Sequence, residues 1–238
     1  GCEFNMDNLR NSSQVKASQS DSEKEIWRVF KFYLAATNEF NFTSVKYSHQ
    51  HMETVQQARQ NIPLAEFKER DYERLEQELI AARDAGHTHS DLEAATDALL
   101  PVLHDIVVAV KELDTYYKEK RYESDNYAFA HTQLEKLSSL MDVFEPKYDA
   151  LDTIVKTYYK QEGERFVKLM RNNGQTNGAN MLEMMIIYSD IVDHIMEHKS
   201  DSDFQWVKAQ KEAADGIGAK VTAAEAQNRL EQKKHLDK

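Results

Sequence analysis

Glycine and proline are scarce in this chain, which has 7 glycines and 3 prolines among 238 residues. Because the tight turns between strands depend on these two residue types, their scarcity disfavours a β-sheet and favours long helices. No run of apolar residues reaches the roughly 18 that a membrane-spanning helix requires. The single cysteine excludes a disulfide bond within these residues.

Basic residues are fewer than acidic residues. The chain has 30 Lys and Arg residues against 41 Asp and Glu residues, so its formal net charge is −11. Proteins that bind nucleic acid use a basic face to displace counterions from phosphates, and no Lys/Arg cluster in this sequence provides one. Nucleic acid is therefore not an expected partner. The hydrophobic content of 41% is that of a folded protein with a core.

The position of the only cysteine indicates a lipid anchor. Cys2 directly follows Gly1, and the mature chain of a bacterial lipoprotein begins with an acylated cysteine. Residues 3–20 are polar and rich in Ser and Asn, as in a flexible tether. We therefore expect residues 1–21 to form a lipidated tether at the bacterial cell envelope, facing the periplasm or the exterior. The alternative is an accidental thiol near a terminus.

Helical periodicity starts after this tether. Ser22 and Glu25 have the spacing of a capping box, and an apolar stripe follows them at helical intervals. A Gly- and Asn-rich turn is expected at 172–178, and weaker helices are expected at 203–235. Helices are predicted at 22–59, 64–86, 90–117, 125–171 and 181–195.

Two apolar seams carry the strongest pattern in the chain. Residues 99–117 and 127–158 repeat apolar positions at alternating steps of four and three, the heptad pattern of helices packed side by side. The stripes keep their phase across Pro101 and Pro146, which predicts kinks rather than helix ends. The sequence therefore predicts an all-α, elongated bundle with long antiparallel hairpins that resemble coiled coils. A single helical domain is expected over 22–238, with its core at roughly 22–200.

One pattern suggests metal chemistry. His194, Glu197 and His198 match the H-x-x-E-H motif, in which two histidines on one helical face bind zinc and the glutamate acts as a general base. The motif lies at the end of its helix, where histidines interact favourably with the helix dipole without any metal. Helix-end histidines are therefore the leading interpretation, and a zinc-dependent hydrolase is the alternative.

Tyrosines are concentrated at the junction of the two heptad helices. Tyr116, Tyr117 and Tyr122 lie close together in the sequence, and Asp125 follows them. In one interpretation their rings cover the end of the bundle, and Asp125 caps the next helix. In the other, these four residues form a recognition surface, since tyrosine is enriched at protein interfaces.

The same junction resembles a known family. The stretch 113–125, with the sequence LDTYYKEKRYESD, is similar to the YiiG-like bacterial lipoproteins, a family with a domain of unknown function. The resemblance extends over about residues 24–200 and agrees with a start at Cys2. It implies an envelope location and a helical fold, and it brings no activity, substrate or catalytic residues. The matching positions are Tyr116, Tyr117, Lys120, Tyr122 and Asp125.

These observations favour a non-catalytic binding or scaffolding module of the cell envelope. Its expected partners are the membrane, through the lipid on Cys2, and an envelope protein or glycan. No cofactor is expected, and the protein is not expected to be an enzyme. A zinc-dependent hydrolase and a periplasmic metal or haem carrier are the alternatives.

Overall fold

The structure is a computed structural model that describes residues 6–198 and 204–236. It confirms the all-α bundle: the described residues form seven helices and no strands. Cys2 lies outside the described residues, so lipid attachment there stays a prediction. The helices are α1 (Met6–Arg59), α2 (Tyr72–Ala85), α3 (Ser90–Lys118), α4 (Tyr122–Asp125), α5 (Ala128–Asn172), α6 (Thr176–His198) and α7 (Phe204–Leu236).

Helix α1 begins at Met6 and not at Ser22, so most of the expected tether is helical. Residues 6–21 contain neither glycine nor proline, and the backbone therefore has no residue that would break the helix before the apolar stripe begins. The helix has 54 residues, which corresponds to about 80 Å at the usual rise per residue. Its predicted end at Arg59 is confirmed.

Helix α2 begins at Tyr72, eight positions after the predicted start at Leu64. The segment before it is held by tertiary contacts, because the buried ring of Phe67 stacks on Tyr117 with a centroid distance of 6.1 Å. The Phe67 N–H also donates a 3.0 Å hydrogen bond to Asp114 Oδ1. The helix starts only after Asp71, whose side chain accepts a hydrogen bond from the N–H of Arg74.

Helices α3 and α5 form the long hairpin that the heptads predict. Both continue through their prolines, Pro101 in α3 and Pro146 in α5. The N-cap of α3 is His89, which makes no side-chain cap bond, and Ser90 is the first helical residue, as predicted. Helices α1 and α2 pack against this hairpin and complete the core, whose largest buried side chains include Trp27, Tyr33, Phe30, Phe144 and Phe166.

Helix α7 belongs to the same bundle, because it packs along α6. Ala214 and Val221 are buried on its inner face, and Tyr188 of α6 donates a 3.1 Å hydrogen bond to Asp215 of α7. Across the described part of the chain, no helix combines the length and apolar content needed to cross a bilayer.

Candidate ligand-binding cleft

The tyrosine junction is a packed turn. Tyr116 and Tyr117 are only 2% and 1% exposed, so neither ring reaches the surface. Burial raises the pKa of Tyr117 to about 12 and also raises that of Tyr116, so both phenols are protonated at neutral pH. The surface predicted at this junction is reduced to Tyr122 and Asp125, which are half-buried, and the ring of Tyr122 stacks on Tyr127 at 5.2 Å.

The H-x-x-E-H motif lies at the end of α6, against α7. The half-buried ring of His194 stacks on Trp206 of α7, with a centroid distance of 4.1 Å. Glu197 is exposed, and the side chain of His198 lies outside the described residues. Within residues 6–198 and 204–236, no group of three or more His, Cys, Asp or Glu side chains is arranged to hold a metal ion.

A buried polar network joins α1, α5 and α6. Asn41 donates a 3.0 Å hydrogen bond to Asp152 and accepts one of 2.6 Å from the hydroxyl of Tyr148. Lys156 lies between two carboxylates, 2.8 Å from Asp152 and 2.6 Å from Asp193. Because each polar group finds a partner across a helix interface, the network fixes the relative position of the three helices. Sequence reasoning missed this network. The signal for it was Asn41, a polar residue at a position where the apolar stripe of α1 predicts a buried side chain.

A cleft lies between α1 and the last turns of α5, at the turn into α6. Its floor is Trp27 of α1, which stacks on Phe166 of α5 with a centroid distance of 4.5 Å. Gly174 lets the chain turn sharply into α6, because its φ of +74° is accessible mainly to glycine. The cleft has a volume of about 230 Å³ and is lined by Lys24, Trp27, Arg28, Lys31, Phe166, Leu169, Met170, Asn173 and Gln175.

The rim of this cleft is basic. Lys24, Arg28 and Lys31 are spaced four and three residues apart on α1, which places them on one face of the helix. Arg28 already pairs with Glu25 at 2.7 Å and donates a hydrogen bond to the carbonyl of Ala85. Neither Lys24 nor Lys31 forms an ion pair with a carboxylate in the part of the chain that the structure describes. No acidic residue is among the described residues that line the cleft, although the protein as a whole carries a net charge of −11.

Another depression in the surface is larger but more open, with a volume of about 330 Å³ near His51. It is lined by both Arg59 and Glu69, so it does not present charge of one sign. The cleft at Trp27 is therefore the stronger candidate for a binding site. Sequence reasoning missed it, because the three basic residues of α1 were not related to any apolar surface of α5.

Comparisons with known proteins identify no relative of this chain. No family model matches the chain, and searches of curated proteins and of solved structures find no match.

Proposed function

We propose that this protein is a non-catalytic binding module of the bacterial cell envelope, anchored to a membrane through lipid on Cys2. The cleft between α1 and α5 is the binding site in this proposal. The observation that carries it is the combination of an apolar floor at Trp27 and Phe166 with Lys24 and Lys31, which form no ion pair in the described part of the chain. Concave sites with an apolar lining and a few polar groups are the usual form of ligand-binding sites.

The helical start of α1 sets the distance between the cleft and the N-terminal end of that helix. From Met6 to Lys24 the helix is continuous, and these 18 steps correspond to about 27 Å along its axis. An anchor at Cys2 would lie on the Met6 side of the cleft. The sequence of the tyrosine junction, which resembles the YiiG-like lipoproteins, supports a location at the cell envelope.

Anchoring is tested by expressing the protein from its natural gene and separating membranes from soluble fractions. We expect the wild type in the membrane fraction, with an acylated N-terminal peptide in its mass spectrum. The Cys2→Ser variant should move to the soluble fraction. A wild-type protein that carries no acyl chain and remains soluble would contradict the anchor.

Binding at the cleft is tested in intact cells with a photoreactive amino acid in place of Lys31. The control places the same amino acid at Lys208, an exposed position on α7. We expect a reproducible adduct with an identifiable envelope component from position 31 only. Equal labelling from both positions would show that the cleft has no special role.

A further inference from the structure

We infer that the cleft binds a small amphiphilic anion, in which one carboxylate or phosphate group is joined to a compact apolar body. This inference rests on the proposed binding function and specifies the chemical class of the ligand. Two features of the cleft carry it: its apolar lining, and the lysines of its rim, which form no ion pair with a carboxylate within the described residues.

The apolar floor sets the character of the ligand's body. Trp27 and Phe166 are each only 2% exposed, and their stacked rings form a rigid base that Leu169 and Met170 extend. The apolar area that is still open to water belongs to the half-buried side chains of Leu169 and Met170, and covering it with an apolar group is favourable in proportion to the area covered. The volume of about 230 Å³ is below the range of roughly 300 to 1,000 Å³ for drug-sized ligands, so the apolar body is small.

The charged rim requires a negative group on the ligand. Lys24 and Lys31 are seven residues apart on α1, which separates their Cα atoms by about 10 Å along the helix axis. They flank the floor from both sides, and their flexible side chains can converge on one anion. The amides of Asn173 and Gln175 at the turn supply further polar groups on the opposite side. None of the described residues that line the cleft is a carboxylate, and the carboxylate of Glu25 beside the rim is paired with Arg28 at 2.7 Å.

The test uses Trp27 as its own reporter. The chain has two tryptophans, so the full-length protein carrying Trp206→Phe reports on the cleft alone. Its fluorescence is titrated with sodium octanoate and octyl phosphate as amphiphilic anions, with 1-octanol as the apolar control and sodium acetate as the anionic control. We expect a saturable change with octanoate, octyl phosphate or both, and at least tenfold weaker binding of the two controls. The stronger of the two amphiphiles identifies the carboxylate or the phosphate as the preferred head group.

Charge variants complete the test. Lys24→Gln with Lys31→Gln should weaken binding of the preferred amphiphile at least tenfold, whereas Lys208→Gln with Lys211→Gln, on the exposed face of α7, should leave it unchanged. The inference is overturned if neither amphiphile gives a saturable change, if octanol binds as tightly, or if the first pair of substitutions has no effect. An envelope component crosslinked at position 31 in a protein that binds neither amphiphile would overturn the ligand class and leave the proposed function intact.

Discussion

Tyr116 donates a 2.6 Å hydrogen bond to Asp125 Oδ1 and so ties the end of α3 to the turn that precedes α5. The same carboxylate accepts the backbone N–H groups of Tyr127, at 3.1 Å, and Phe129, at 2.9 Å. One acidic side chain therefore holds a buried phenol and the first turn of the following helix at once. The backbone of the turn needs this support, because Asn126 and Tyr127 both have positive φ angles, of 52° and 66°.

Removing the phenol hydroxyl should weaken this turn. We expect Tyr116→Phe to lower the free energy of unfolding by about 1 kcal/mol, because it removes one hydrogen bond and preserves the packing of the ring. Asp125→Ala should have a larger effect, because it also removes the acceptor of two backbone N–H groups. Urea denaturation measures both, with Tyr122→Phe as a control that keeps the stacked ring. Equal midpoints for Tyr116→Phe and the wild type would show that this hydrogen bond contributes nothing.

Replacing Lys156 should lower the free energy of unfolding more than replacing the neighbouring Lys160. Replacing Lys156 with methionine leaves Asp152 and Asp193 facing each other without their shared cation, and we expect a loss of about 2 to 3 kcal/mol. Lys160 is 58% exposed and lies 3.9 Å from Asp193, so Lys160→Met should cost less than about 0.5 kcal/mol. Chemical denaturation of the two variants provides the comparison. Similar losses would mean that the buried network does not depend on Lys156.

Mild acidification should lower the free energy of unfolding, because it protonates His89. Burial against Phe30 and Tyr158 lowers the pKa of this histidine, and the nearby carboxylates of Asp91 and Glu93 oppose the shift only in part. The unfolded chain, in which the histidine has its ordinary pKa of 6.5, therefore binds a proton at a higher pH than the folded protein does. The contribution of neutral His89 to the free energy of unfolding is complete above pH 6.5 and is lost as the pH falls below it.

Urea midpoints at about pH 7.5 and about pH 5.5 test this relationship. The wild type should lose more stability between the two values than His89→Gln, whose side chain does not titrate. His49→Gln, at an exposed position on α1, serves as the matched control and should behave as the wild type. If His89→Gln shows the full wild-type loss, another group is responsible for the acid sensitivity.

The same substitution should have unequal consequences at two helical glycines. A Cβ at Gly216 would meet no atom within 4 Å, so Gly216→Ala should stabilise α7 by up to about 1 kcal/mol. A Cβ at Gly163 would lie 2.7 Å from Ile186 Cδ1, where α5 and α6 approach closely. We expect the free energy of unfolding of Gly163→Ala to be lower than that of Gly216→Ala by about 1 kcal/mol or more.

Thermal denaturation compares the two glycine variants. Adding Ile186→Val to Gly163→Ala removes the clashing methyl group and should recover part of the loss relative to Ile186→Val alone. If Gly163→Ala lowers the stability equally with Ile186 and with Val at that position, the contact with Ile186 Cδ1 is not the cause of the loss.

Local patterns determined the helical class and most helix ends. The apolar stripe of α1 predicted the end at Arg59, and the heptads predicted the α3–α5 hairpin through both prolines. These predictions succeed because apolar periodicity and helix breakers act over a few neighbouring residues. The start of α2 was wrong for the opposite reason: Phe67 is held by α3, far along the chain, and not by its own neighbours.

Only the tertiary structure decided which polar and aromatic residues are buried and which line a cleft. Asn41 and Asp152 are 111 positions apart, and their pairing depends on how α1 and α5 align as antiparallel helices. The same alignment brings Trp27 onto Phe166 and sets the basic face of α1 beside the last turns of α5. The sequence alone determined that these helices form and which face of each is apolar. Their alignment depends on the packing of many side chains at once, which no local pattern encodes.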